Sequence, residues 1–279
     1  MLSEEQVRRL REVPEFKDGP TGFISPNGAL DYLQRKYIVN LSRYCDLSRS
    51  IMLDCGCHEG WNIFAFLLEG GRMAIGVDTN EVALSVARKF ARIMGVDDRV
   101  LFCRASVTEL PVRDRGVDLL CCIETLEHLD GDADRALVEI NRVARQLVLV
   151  TTPNKLFPIV AHDTRLPFAH WLPRRWRRTY ARLLAREKEE EGSIFLTPFQ
   201  ITRGLADFRL VSKFLGFDSF KDFLGSYPHY LPYMGSGVAG VRDLSKAKRA
   251  FYRLVHWAFQ QGSFYVLPSL TGIFRRDGS

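Results

Sequence analysis

Ile51-Met52-Leu53-Asp54-Cys55-Gly56-Cys57-His58-Glu59-Gly60 decides how the rest of the chain is read. It opens as a short apolar run, the mark of a buried strand, and ends in Asp54 and the glycines Gly56 and Gly60. Trp61-Asn62-Ile63-Phe64-Ala65-Phe66-Leu67-Leu68 then reads as a helix. Strand, tight glycine turn and helix make one half of a nucleotide-binding βαβ unit. Glycine suits the turn because a ligand must approach bare backbone and because positive φ can be required. The helix N-terminus adds free N–H groups for an anionic group such as a carboxylate. The plain alternative is an ordinary βα turn.

Downstream, Met73 to Val77 reads as the second strand, and Gly76-Val77-Asp78 puts a carboxylate at its end, suited to two vicinal ribose hydroxyls. A dinucleotide dehydrogenase would need G-x-G-x-x-G with a phosphate-cradling turn. Here the loop is Gly-Cys-His-Glu-Gly behind Asp54. Asp54 and Glu59 would repel a pyrophosphate but not a cationic sulfonium carrying an ammonium group. Glu81 to Met94 is an amphipathic helix, Val100 to Cys103 a third strand, and Val117 to Ile123 a fourth, apolar throughout as a buried parallel strand should be. Ala133 to Ala144 is a helix and Gln146 to Thr151 a fifth strand. The alternation predicts an α/β fold, a Rossmann-like doubly wound, mostly parallel sheet with helices on both faces and ligands at its carboxyl edge.

Around this core, Ser3 to Val13 has capping chemistry and predicts a short helix. Gly28 to Tyr44 predicts another, with Leu30, Leu33, Tyr37 and Leu41 on one face. Residues 154–191 break the rhythm with Pro158, Pro167 and Pro173, then an Arg-rich run from Arg174 to Arg186 containing Trp176 and Tyr180. That run reads either as a solvated helix or as a binder of phosphates and bases. Ile201 to Leu215 predicts a helix, Phe217 to Phe223 a strand, Lys246 to Gln260 an amphipathic helix and Leu270 to Phe274 the last strand. The aromatic stripe of that last helix reads as core, or as a substrate lid or membrane-surface patch. The expected organisation is an N-terminal helical cap (1–45), a ligand-binding core (46–153), an inserted lid segment (154–195), and completion of the core (196–279) with a second lid insertion at about 225–265.

A chain of 279 residues with 46% hydrophobic residues can bury a full core. The net charge of +6 is compatible with an anionic substrate, a membrane surface or nucleic acid without selecting among them. The six cysteines fall mostly in expected buried strands or the loop, which points to reduced core residues and a cytoplasmic setting. Met1 to Lys17 is polar and charged, so no signal peptide is expected, and no apolar run is long enough to predict a transmembrane helix.

With these motifs assembled, the chain resembles the class I S-adenosylmethionine-dependent methyltransferases. The residues that carry the resemblance are Asp54 to Gly60, Gly76-Val77-Asp78, Leu110-Pro111 before Val117-Asp118-Leu119-Leu120, Glu124-Thr125-Leu126-Glu127-His128-Leu129, and Thr151-Thr152-Pro153-Asn154. It covers about residues 30–155 closely and about 195–224 and 264–276 weakly. Two positions depart from the family pattern: its middle glycine is His58, and its adenine-contacting acid is Ser106. The resemblance implies S-adenosyl-L-methionine as cofactor. Asp54 would orient the loop and the methionine ammonium. Gly56, Cys57 and Gly60 would line the cofactor, Asp78 and Thr79 would hold the ribose, Ser106 and Val107 would flank adenine, and Glu124 would close the site.

A second constellation is Glu124-x-x-Glu127-His128 with the following His162-Asp163 and His170-Trp171. If the turn is helical, Glu124, Glu127 and His128 share a face. With His162 they would make a divalent-metal site that lowers the pKa of a substrate hydroxyl. Without metal, His128, with Glu127 and His162 beside it, would act as base or positioner for the acceptor. This set resembles both the ubiquinone-biosynthesis O-methyltransferases and the enzymes that 2′-O-methylate the 3′ end of small RNA. Three functions follow as expectations. The first is O-methylation of a small or medium-sized acceptor that is aromatic, lipid-like or glycosylated, with peripheral membrane contact open. The second is metal-dependent methylation of RNA. The third is a non-catalytic Rossmann-like binding subunit.

Overall fold

The computed structural model describes residues 1–18, 25–159, 166–184, 194–226 and 245–278. Seven strands form one sheet: β1 (Ile51–Cys55), β2 (Met73–Asp78), β3 (Val100–Arg104), β4 (Val117–Ile123), β5 (Ala144–Thr151), β6 (Phe208–Leu210) and β7 (Gly272–Arg276). Their order is β3-β2-β1-β4-β5-β7-β6. β1 to β5 pair in parallel, and β7 runs antiparallel between β5 and β6. The order reverses at β1, so β1 and β4 flank the crevice in which open α/β sheets bind ligands.

The central strands β1 and β4 are buried on both faces, whereas the edge strand β3 is largely exposed. Met52, Leu119, Leu147 and Leu149 point into one core, shared with α1 (Glu4–Glu12), α3 (Pro26–Leu33), α5 (Trp61–Leu68) and α6 (Glu81–Met94). Leu53, Leu120, Val148 and Val150 point into the other, shared with α7 (Ala133–Val143) and α9 (Pro198–Gly204).

The N-terminal helix forms as expected, with a capping box between Ser3 and Gln6. The Gln6 amide also donates to the carbonyls of Ile93 and Met94, 3.1 Å each, closing the C-terminal end of α6. A short α2 (Pro14–Asp18) follows. The helix predicted over 28–44 is α3 continuing through a π-helical stretch, Gln34–Ile38, into α4 (Val39–Leu41). Buried Asn40 donates to the Arg35 and Lys36 carbonyls at 3.3 and 2.8 Å, which meets acceptors that the wider turn leaves open.

The prediction fails between 201 and 223. α9 stops at Gly204, whose missing side chain lets it lie against α7: a Cβ there would sit 2.6 Å from the Leu137 Cβ. β6 follows, and residues 217–223 are not a strand but a turn leading into α10 (Phe220–Ser226). Phe214, Phe217, Phe220 and Phe223 are three apart, a turn-and-helix spacing rather than the two of a strand. They form a separate aromatic cluster with α11 (Lys246–Phe259). α8 (Arg174–Leu183) lies in the segment between β5 and β6, and α12 (Ser263–Val266) precedes β7. No helix among the described residues is long and apolar enough to cross a membrane.

Candidate active site

The parallel pairing of β1 with β2 brings Asp54 beside Gly76 and places Asp78 one step past the end of β1. Asp54 is buried, and the Asn62 amide donates to its Oδ1 at 3.2 Å. Burial pushes the Asp54 carboxyl up to about 7; the Asn62 hydrogen bond lowers it and the Asp78 charge raises it. Asn62 Oδ1 is itself buried with no hydrogen-bond partner among the described residues. A carboxylate and an amide oxygen side by side, both short of donors, fit an ammonium group, which brings three. Sequence reasoning missed Asn62. Its signal was present: it is the one polar residue in the apolar run from Trp61 to Leu68.

The loop after β1 is held to β2 by Gly56 and Cys57, whose N–H groups both donate to the Val77 carbonyl at 2.8 and 3.0 Å. Gly56, His58 and Gly60 have φ of +73°, +46° and +82°. Gly56 is required twice over, since a Cβ there would also lie 2.5 Å from the Thr125 hydroxyl. His58 pays about 1 kcal/mol for its left-handed backbone. Its N–H donates to Asp78 Oδ2 at 2.8 Å, while the Asn80 N–H donates to Oδ1 at the same distance. Both Asp78 oxygens are therefore aimed, each with a lone pair left for a hydroxyl. Cys57 is buried, its thiol held protonated by desolvation, and it borders the loop as an apolar residue. Thr79 is exposed just beyond.

Ser106 does not hold its hydroxyl out: its Oγ lies 2.7 Å from the Thr108 hydroxyl and accepts the Thr108 N–H at 3.2 Å. Val107 is buried beside it, and the Ala105 N–H donates to the Asp78 carbonyl at 3.1 Å, joining this turn to the end of β2.

The Glu-x-x-Glu-His stretch is not a regular helical turn. Glu124 is left-handed, at φ +50°, and only Leu126–His128 form a 3-10 turn. Glu127 is fully buried and His128 exposed. The Thr152 hydroxyl donates to Glu127 Oε2 at 2.8 Å, whereas Oε1 receives no donor among the described residues. Burial first, and the Glu124 charge second, push the Glu127 carboxyl up to about 8. The regular helical face assumed for Glu124, Glu127 and His128 thus does not form, although the Glu124 side chain lies against that of Glu127. His162 lies outside the described residues, among which no three His, Cys, Asp or Glu gather to hold a metal. His170 turns elsewhere, with its ring edge-on to Phe195 and Nε2 2.9 Å from the Lys155 carbonyl. Asn154 is a fastener: its amide donates to the Tyr265 and Leu267 carbonyls at 3.1 and 2.8 Å. An open hollow of about 550 Å³ runs along α8, bordered by Leu172, Arg175, Trp176, Thr179, Tyr180 and Leu183.

The 3-2-1-4-5-7-6 sheet, with acidic residues at the ends of β1 and β2 and a left-handed glycine loop between them, has the arrangement expected of the class I S-adenosylmethionine-dependent methyltransferases. Residues 53–149 match the family described as a methyltransferase domain. The chain is 33% identical over 120 residues to an S-adenosylmethionine-dependent methyltransferase of Mycolicibacterium smegmatis, covering 42% of this chain and 44% of that protein. A counterpart in Mycobacterium tuberculosis is 32% identical over 120 residues, covering 42% and 41%. The match thus spans less than half the length of these relatives. Among solved structures, magnesium protoporphyrin IX methyltransferase of Synechocystis shares the fold, with a TM-score of 0.50 and 14% identity over 75% of this chain and 85% of that one.

Proposed function

We propose that the protein transfers a methyl group from S-adenosyl-L-methionine to a hydroxyl of a small or medium-sized acceptor. The observation that carries this is the pair Asp54 and Asn62 at the switch point of the sheet, both buried, with Asn62 Oδ1 receiving no donor among the described residues and Asp54 receiving the Asn62 amide. The donor, when bound, supplies a methyl group already activated on sulfonium, so the protein's work is alignment and charge. Asp54 and Asn62 receive the ammonium, the backbone of Gly56, Cys57 and Gly60 passes close to the amino-acid moiety, and Asp78, with Thr79 beside it, receives the ribose hydroxyls. Val107 walls the adenine, and Ser106, engaged with Thr108, shapes that turn rather than replacing the missing acid. Glu124 borders the site. Exposed His128 is the group that takes the acceptor's proton, supported by buried Glu127 in the same turn. The segments expected to act as lids, 154–195 and about 225–265, lie in part outside the described residues.

The second reading, a metal-dependent reaction on RNA, would need Glu124, Glu127, His128 and His162 around one ion; exposed His128 beside fully buried Glu127 speaks against it. The test is calorimetry with S-adenosylmethionine against NAD, followed by methyl transfer to a panel of aromatic, lipid-like and glycosylated hydroxyl acceptors. Binding of S-adenosylmethionine alone is expected. His128→Ala should leave that affinity within about twofold while lowering turnover by about two orders of magnitude. Binding of neither ligand would favour a non-catalytic subunit.

A further inference from the structure

Helix α11 is apolar on two sides. Its inner side, with Tyr252, Val255 and His256, packs on the phenylalanine cluster: the His256 ring stacks on Phe220 at 4.9 Å, and Tyr252 meets Phe214 edge-on at 5.9 Å. Its outer side carries Phe251, Leu254 and Trp257, three residues apart, exposed by 42%, 61% and 79%. A helix docked on a core needs one apolar face; a second one left in water marks a surface that something covers. Lys246, Arg249 and Arg253, all exposed, border this stripe, and no acidic residue occurs from 246 to 261.

We propose that the outer face of α11 docks the protein on an anionic lipid surface. Phe251, Leu254 and Trp257 enter the headgroup boundary while Lys246, Arg249 and Arg253 meet the lipid phosphates. Large apolar and aromatic side chains flanked by an all-basic border are the composition of helices that lie in that plane. An isologous dimer through this face would press two basic rows together with no acid on either helix to offset them. The position has a consequence for the site. α11 is tied to the carboxyl edge: just past it, Gln261 donates to the Leu210 carbonyl at the end of β6, 2.6 Å, and beyond α12 the Leu270 N–H reaches the Thr152 carbonyl at 2.8 Å. Docking through α11 therefore brings the lipid surface to the edge of the sheet that carries Asp54 and Glu127.

The test is co-sedimentation of the full chain with phosphatidylglycerol vesicles and with phosphatidylcholine vesicles, with S-adenosylmethionine affinity measured in parallel by calorimetry. The wild type should bind the anionic vesicles, more weakly as salt is raised. Leu254→Ser with Trp257→Ser should weaken this at least about tenfold. Lys246→Gln with Arg249→Gln and Arg253→Gln should abolish the preference for phosphatidylglycerol. Both variants alter exposed positions and should keep the wild-type melting temperature and donor affinity. Absence of wild-type binding to phosphatidylglycerol, or binding unchanged in both variants, overturns the proposal. So does a wild-type dimer in sedimentation velocity that Trp257→Ser turns into monomer without vesicles.

Discussion

At the residue scale, Asp54 has the most to say about the donor. Buried with a single side-chain donor, its carboxyl titrates near 7, where an exposed aspartate would be charged three pH units lower. Below that pH it is neutral and attracts an ammonium poorly. The dissociation constant for S-adenosylmethionine is therefore expected to rise about tenfold for each pH unit below about 7. Asp54→Asn should bind weakly with no such slope. Asn62→Leu removes the bond that favours the charged form, so its break should move to higher pH. Calorimetry across that range checks all three, and a slope that survives in Asp54→Asn would remove Asp54 from the ammonium site. Gly56 answers a different question, whether the loop or its neighbour sets the constraint. Gly56→Ala meets both a left-handed backbone and the Thr125 side chain, and should cost about 2–4 kcal/mol. In a Thr125→Ala background the two closest contacts go and the Cβ contact at 3.1 Å stays, so about 1–3 kcal/mol should remain. Chemical denaturation of the four corners measures the coupling.

At the element scale, Arg276 secures the antiparallel seam. Its guanidinium reaches the carbonyls of Asn141 and Ala144 at the C-terminal end of α7, pairs with Asp207 at 2.6 Å, and lies 4.4 Å over the Phe208 ring. Arg276→Met keeps the apolar stem but strands those carbonyls, and should destabilise the chain by about 2–4 kcal/mol. Ala144 begins β5, at the opposite end of the sheet from Asp54, so donor affinity should not change; urea denaturation and calorimetry read the two effects separately. Legibility in the sequence also divides by element. β1 and β4 were readable because a strand covered on both faces becomes a nearly uninterrupted apolar run, and Asp54 and Asp78 stood out as charges near the ends of β1 and β2. The π-helical stretch at Gln34–Ile38 leaves no periodic trace, since Asn40 answers it through the backbone. The stretch from Phe208 to Phe223 misled because β6 is only three residues long and aromatic residues mimic strand composition. The turn from Glu124 to His128 misled through conformation: a left-handed Glu124 breaks the helical face that its spacing implied.

At the scale of the whole molecule, two buried carboxyls make stability depend on protons. Asp54 is raised from 3.8 to about 7 and Glu127 from 4.5 to about 8, chiefly by burial in each case. A raised folded-state pKa means that the folded chain keeps a proton which the unfolded chain releases. The stability this provides is complete below about pH 4 and is lost as pH rises through about 7 to 8. The wild type should accordingly lose on the order of a few kcal/mol from these two groups between about pH 5 and pH 8.5. Glu127→Gln keeps an acceptor for the Thr152 hydroxyl without a charge to bury, and Asp54→Asn does the same opposite Asn62, so each should flatten part of that decline. S-adenosylmethionine should restore stability near pH 7.5 in the wild type and in Glu127→Gln, because its ammonium favours the ionised Asp54, and should do so least in Asp54→Asn. Thermal melts of the three proteins across this range, with and without the donor, measure both effects. Parallel pH curves for all three would show that neither carboxyl holds its proton in the folded chain.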